Sequence, residues 1–248
     1  MMSYFSVGTF NIPVYGFLAL MGTVVCNFIA MWISRADREK WKNYCLIEMV
    51  AGTGAVFGAK ALTLLSDAVG GSGVGFTWEN FKETGYSYYG GLAGFFFFAG
   101  ILIKICSMDR KGLEKKFLFL LPLQHSLWKI GCLMGGCCYG IPYNGLLAVC
   151  YPEGVNEMAG IPVFPVQMLE AVLSLCLSGI IFAVSQGEKK IELSGLFLVL
   201  YGLFRFWTEF LRYHENAGFF YIGQKYSLVC IGAGLIWMYK NYRRKIEE

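Results

Sequence analysis

The sequence predicts an all-α, polytopic integral membrane protein with about seven transmembrane helices, its N-terminus outside and its C-terminus cytoplasmic. Three observations lead there. Of the 248 residues, 56% are hydrophobic and 15% are charged, and mean hydropathy is +0.51; a soluble domain carries about 25% charged residues. Seven apolar runs each come near the ~20 residues that a spanning helix needs. The basic residues cluster on alternate connections, which sets the direction of the chain through the bilayer.

The runs cover residues 13–33, 46–66, 89–106, 117–136, 166–185, 193–212 and 221–239, with ends uncertain by a few residues. The first has no basic flank and no small-residue cleavage site behind it, so it reads as a retained span. Arg35, Arg38, Lys40 and Lys42 follow span one. Lys104, Arg110, Lys111, Lys115 and Lys116 gather around the third connection, Lys189 and Lys190 lie in the fifth, and Lys240, Arg243, Arg244 and Lys245 end the chain. All of these are expected on the cytoplasmic face. The net charge of +4 follows from that bias and gives no case for nucleic-acid binding. Nothing divides the chain, so residues 1–248 read as a single transmembrane domain. Two outer loops are long: 67–88, glycine-rich and then aromatic, and 137–165, which holds four of the six prolines and no basic residue. Long loops in a compact domain often bind or cover a ligand.

Span six contains Tyr201-Gly-Leu-Phe-Arg205-Phe-Trp-Thr-Glu209-Phe-Leu-Arg212. A charge at membrane depth costs about 2.5–3.5 kcal/mol or more, so these residues face protein or water. The i, i+4, i+7 spacing aligns Arg205, Glu209 and Arg212, with Tyr201 one turn earlier. A buried guanidinium suits a phosphate, whose oxygens match its fork of donors; a structural Arg205–Glu209 ion pair is the plainer reading. Span four ends Lys129-Ile-Gly131-Cys132-Leu-Met-Gly135-Gly136-Cys137-Cys138-Tyr139-Gly140. Its glycines allow close approach of a backbone or ligand. Lys129 has no carboxylate one turn away in its own helix. Glu170, an i, i+3 neighbour of Gln167 in span five, is the candidate partner, either as a packing bridge or as part of a site. Glu48 and Lys60 add charges in span two, and Glu48 sits where it can snorkel. His125 and His214 read as structural or interfacial. Cys132, Cys137 and Cys138 do not match the usual C-x2–4-C pair followed by a second pair, so neither a metal nor a cofactor is expected. Cys137, Cys138 and Cys150 lie towards the oxidising face, where a disulfide is one option.

Taken in order, these residues resemble the bacterial prolipoprotein diacylglyceryl transferase family over almost the whole chain. The likeness includes Val14-Tyr15-Gly16, Gly58-Ala59-Lys60 (the family has Gly-Ala-Arg) and Tyr89-Gly90-Gly91-Leu92 (His-Gly-Gly-Leu). Lys129 through Gly140 is similar to the signature Gly-Arg-x-Gly-Asn-Phe-x-Asn-Gly-Glu-x-x-Gly, and Phe164-Pro165-Val-Gln167-Met-Leu-Glu170 to His-Pro-Ser-Gln-x-x-Glu. The segment 201–212 matches closely, and Gly223-Gln224-x-x-Ser227 resembles the start of the last span. The resemblance implies a seven-span enzyme of the bacterial cytoplasmic membrane. Such an enzyme moves the diacylglyceryl group of phosphatidylglycerol onto the lipobox cysteine thiol of a prolipoprotein, releasing glycerol phosphate.

On that likeness, Lys129 and Arg205 hold the phosphate, Glu209 orients Arg205, and Tyr89 stands where the family has a histidine proposed to help deprotonate the thiol. Tyr15, Gly90, Gly91, Cys132, Cys137, Gly140, Gln167 and Glu170 fall at lipid- or peptide-binding positions. Several of these depart from the pattern: Lys129 replaces an arginine, Cys132 and Gly135 replace asparagines, and Cys137 replaces a glutamate. Tyrosine, with a reference pKa of about 10, is a poor base near neutral pH. Two further readings stay open: the same lipid donor with another acceptor, and a non-catalytic phospholipid-binding membrane protein.

Overall fold

A computed structural model describes residues 4–7, 10–69, 75, 77–187, 191–214 and 220–247. In chain order, the strands β1 (Tyr4–Val7) and β2 (Phe10–Pro13) precede α1 (Val14–Ile33), α2 (Arg38–Val69), α3 (Trp78–Glu83), α4 (Tyr88–Ile105), α5 (Arg110–Phe117) and α6 (Leu120–Gly135). Strands β3 (Val149–Cys150) and β4 (Pro162–Val163) follow, then α7 (Val166–Gln186), α8 (Leu193–Thr208), a 3-10 turn (Glu209–Leu211) and α9 (Ile222–Glu247). Both strand pairs are antiparallel two-residue-to-four-residue ribbons, with Tyr4 opposite Pro13 and Val149 opposite Val163.

Among the described residues, five helices are long and apolar enough to cross a membrane, and six if the bent pair α5–α6 counts as one span. The chain is therefore an integral membrane protein built of helices. α9 is helical as expected, but Gln224 and Lys225 in its first turn dilute its apolar run. α2 is longer than the apolar core read from the sequence, because its first two turns are polar and start at Arg38. The chain bends by about 40° between α5 and α6, and the Leu118 and Phe119 carbonyls accept from the Leu121 and Leu123 N–H groups across the bend. Ser178 Oγ adds a second donor to the Phe119 carbonyl at 2.8 Å and ties α7 to the bend. Pro122 lies in the first turn of α6, where a missing N–H does no harm.

The described chain forms two compact units. One comprises residues 33–113. There α2 and α4 cross with almost no side chains between them: a Cβ added at Gly58 would lie 3.1 Å from the Gly94 Cα, and one at Gly54 would strike Phe98. Small residues let the two backbones approach, as they do in many membrane helix pairs. Lys60 Nζ donates to the carbonyls of Phe81, Lys82 and Thr84 at 3.2, 2.7 and 3.1 Å, which ties down the end of α3.

The other unit comprises residues 1–32 and 114–248. α1 meets α6 through polar contacts, Gln124 Nε2 to Thr23 Oγ1 at 2.7 Å and Trp128 Nε1 to the Ala19 carbonyl at 3.2 Å. α8 meets α9 at Gly195, Gly202 and Gly234, where an added Cβ at Gly202 would come 2.8 Å from the Ser227 carbonyl. The segment Leu193–Leu211 is the most buried of the candidate spans, so its polar residues are enclosed by protein.

Candidate functional site

The ends of α6, α7 and α8 bring a set of charges together. Glu170, in the second turn of α7, is fully buried, at 0% exposure. Lys129 Nζ from α6 stands 2.5 Å from its Oε2. Arg205 Nη1 from α8 donates to its Oε1, and Arg212 Nε approaches the same oxygen at 3.6 Å. Glu209 makes the second anionic point: Arg205 Nη2 donates to its Oε2 at 3.0 Å, Arg212 Nη1 lies 3.7 Å away, and His214 Nε2 is 3.5 Å from its Oε1. Thr208 Oγ1 joins the group, 3.3 Å from Arg205 Nη1 and 3.4 Å from Glu170 Oε1. Lys129 and Arg205 thus converge on one carboxylate. Among the described residues, three cations face two carboxylates here.

Backbone geometry makes this convergence. α8 ends at Thr208, not at Arg212 as its apolar run implies, because the chain tightens into a 3-10 turn and then extends. Arg212 forms a bridge with Gly140, and Ile141 N–H donates to the Leu211 carbonyl at 3.1 Å. That crossing holds Arg212 near α7. It requires a glycine at 140: an added Cβ would lie 2.8 Å from the Leu211 carbonyl and 3.1 Å from the Phe164 Cβ. Gly223, at the start of α9, plays the same part for Glu209. A Cβ there would come 2.7 Å from Glu209 Oε2 and nearer still to the rest of the carboxylate.

Gln167 is also fully buried, and its Nε2 donates to the Cys137 carbonyl at 2.8 Å and to Tyr151 Oη at 3.1 Å. It therefore fastens the 137–165 connection onto α7. Desolvation pushes the Tyr151 phenol up to about 12, so it remains a neutral hydrogen-bonding group. Gly136, with φ of 71°, ends α6; its N–H and that of Cys137 both point back to the Cys132 carbonyl. Cys138 follows with φ of 55°. This turn gathers the Cys132, Cys137 and Cys138 sulfurs within 4.8 Å of one another. All three are free thiols, as is Cys150.

Of the residues singled out from the sequence, Lys129, Glu170, Arg205 and Glu209 form one network, with Cys132, Cys137, Gly140 and Gln167 around the ends of the same helices. Tyr89, Gly90 and Gly91 belong to the other compact unit. Gly90 there sits at the α2–α4 crossing, where an added Cβ would lie 2.6 Å from Leu62, and Tyr89 is half-buried in the first turn of α4. Tyr15 lies at the head of α1, and its side chain falls outside the described residues. His125 has the structural contact expected of it, 2.8 Å to Ser174 Oγ. The sequence reading left Thr208, Tyr151 and Cys138 out of the site. Arg212 was on the charged stripe and nonetheless omitted; its spacing from Arg205 was the available signal.

Comparison with known proteins points in one direction. Phosphatidylglycerol–prolipoprotein diacylglyceryl transferase 2 of Clostridium perfringens is 24% identical over 218 residues, 80% of this chain and 78% of that protein. The phosphatidylglycerol–prolipoprotein diacylglyceryl transferase of Marinomonas sp. is 29% identical over 255 residues, 93% of this chain and 90% of that protein. That of Mannheimia succiniciproducens is 25% identical over 261 residues, covering 97% and 92%. The family model for prolipoprotein diacylglyceryl transferase matches residues 2–240, and the chain belongs to that family.

Proposed function

We propose that this protein is a phosphatidylglycerol–prolipoprotein diacylglyceryl transferase of the bacterial cytoplasmic membrane. The acceptor is the thiol of a lipobox cysteine. Its thiolate attacks the glycerol carbon that bears the phosphate ester, the C–O bond breaks, and glycerol phosphate departs. The observation that carries the site assignment is the convergence of Lys129 and Arg205 on Glu170. Buried cations gathered at one point suit an anionic lipid phosphate, whose oxygens accept from their donors. The same cations stabilise the charge that develops on the leaving phosphate. Glu209 holds Arg205 in register, and Arg212 adds a third donor group. Tyr15 and Gln167 help seat the lipid, and Tyr89 serves the thiol. Seven spans, with the N-terminus outside, put the lipid site at the outer leaflet.

The test uses purified chain in phosphatidylglycerol-containing micelles with a synthetic lipobox peptide, followed by mass spectrometry. A peptide gaining one diacylglyceryl group through a thioether is expected. Arg205→Ala is expected to lower the rate at least a hundredfold, in line with loss of one charge-stabilising donor. Unmodified peptide with the native chain, where another member of the family modifies it, contradicts the assignment.

A further inference from the structure

The Cys132, Cys137 and Cys138 thiols have no role in the chemistry above, yet the fold collects them. Their sulfurs lie within 4.8 Å of one another although the residues are spaced C-x4-C-C. We propose that these three cysteines bind one thiophilic d10 cation of the Zn(II) class, and that its open fourth position takes the acceptor thiol. The second half of this rests on the transferase reading.

Metal–sulfur bonds of ~2.3 Å place ligand sulfurs ~3.8 Å apart in a tetrahedral site, so only a small closure is needed. Cys137 and Cys138 are exposed and have room to make it, while Cys132 is buried and fixed in α6. The turn itself is pinned on both flanks. Gln167 Nε2 holds the Cys137 carbonyl at 2.8 Å, and Asn156 Nδ2 holds the Gly136 carbonyl at 2.8 Å. Such outer contacts orient the ligands of metal sites. Charge is compatible as well: three thiolates and one divalent cation leave one negative charge, and Lys129 stands one turn before Cys132 in α6. Three protein sulfurs with a fourth position free is the pattern of a reactive zinc site, not of a closed structural one.

The chemistry this supplies is deprotonation of the acceptor thiol. Tyrosine at 89 is a weak base near neutral pH, whereas a thiol that coordinates such a cation loses its proton outright. The acceptor R–SH releases H⁺ to water on binding. The metal-held thiolate then forms the S–C bond as the C–O bond breaks, and the electron pair leaves with glycerol phosphate. Nothing is oxidised or reduced.

The experiment starts from the full chain, stripped with a chelator, kept reduced by a phosphine and titrated with Cd(II). The readout is the thiolate-to-cadmium charge-transfer absorbance. A chain carrying Cys→Ala at 26, 45, 106, 150, 176 and 230 is expected to bind one Cd(II). Adding Cys137→Ser and Cys138→Ser is expected to weaken binding by at least about tenfold. If the six-site variant does not fold, Cys138→Ser in the otherwise native chain is compared with the native chain, and a lower absorbance per bound Cd(II) is expected. Equal cadmium binding with and without Cys137 and Cys138 overturns the site. In a second arm, chelator is expected to cut thioether formation about tenfold and Zn(II) to restore it. Specific Cd(II) binding with transfer indifferent to chelator removes the acceptor role and keeps the site. Specific Cd(II) binding with no transfer even in the Zn(II)-loaded chain removes the transferase reading instead.

Discussion

Glu170 is the residue on which the site turns, since Lys129, Arg205 and Arg212 all address its carboxylate. In water each such pair contributes little. At 0% exposure the balance differs: removing one partner strands the others in a poorly solvating interior, which costs about 3–5 kcal/mol. Glu170→Gln keeps the shape and removes the charge, leaving three cations against Glu209 alone. The variant is expected to melt well below the native chain, and anionic phosphatidylglycerol is expected to raise its melting temperature more than it raises that of the native chain. A neutral lipid of matched chains serves as control in the same thermal-shift series; equal shifts with both lipids contradict a lipid phosphate in this cluster. The pieces of this network were legible in the sequence because a charge inside an apolar run has so few places to go. Their partners were not. Glu170 was a candidate for Lys129, but that it also receives Arg205 and Arg212 depends on how α7 and α8 pack.

Elements matter at their ends. α8 stops at Thr208 and α9 starts beside Glu209, with Gly223 giving the carboxylate its space. Gly223→Ala is expected to displace Glu209, loosen its 3.0 Å bond to Arg205 and reduce transfer more than tenfold, about 1.4 kcal/mol or more in transition-state terms. Stability should fall by roughly 1–3 kcal/mol, the usual cost of overpacking. A variant with native transfer rate contradicts the positioning role of Glu209. The apolar runs located the helices well, since ~20 apolar residues have few alternatives to a span. Ends were harder. The polar first turns of α2 carry no hydropathy signal, and the break between α5 and α6 is invisible in composition. The closeness of the three cysteine sulfurs is not legible in the sequence for a related reason. A spacing rule reads separation along the chain, whereas the left-handed residues Gly136 and Cys138 fold the chain back on itself. Gly90 reads from the sequence as permitting close backbone approach, and the Gly58 carbonyl of α2 takes that space; Gly140 is packed in the same way against the Phe164 and Leu211 carbonyls.

At the scale of the whole molecule, the proposed arrangement has a cytoplasmic C-terminus, seven crossings and a lipid site at the outer leaflet. A reporter fused after Glu248 checks the direction: a fluorescent protein that folds only in the cytoplasm is expected to light up, and an alkaline phosphatase that needs the outside is expected to stay inactive. The reverse pattern contradicts the seven-span arrangement. Two compact units share this chain, and the cationic cluster lies wholly within the one formed by residues 1–32 and 114–248. The account as a whole therefore depends on that cluster holding a phospholipid. The most direct measurement is native mass spectrometry of the purified protein, comparing retention of phosphatidylglycerol by the native chain and by the double variant Lys129→Ala, Arg205→Ala. Retention of about one phosphatidylglycerol by the native chain, lost from a folded double variant, is expected. Equal retention by both chains contradicts the account.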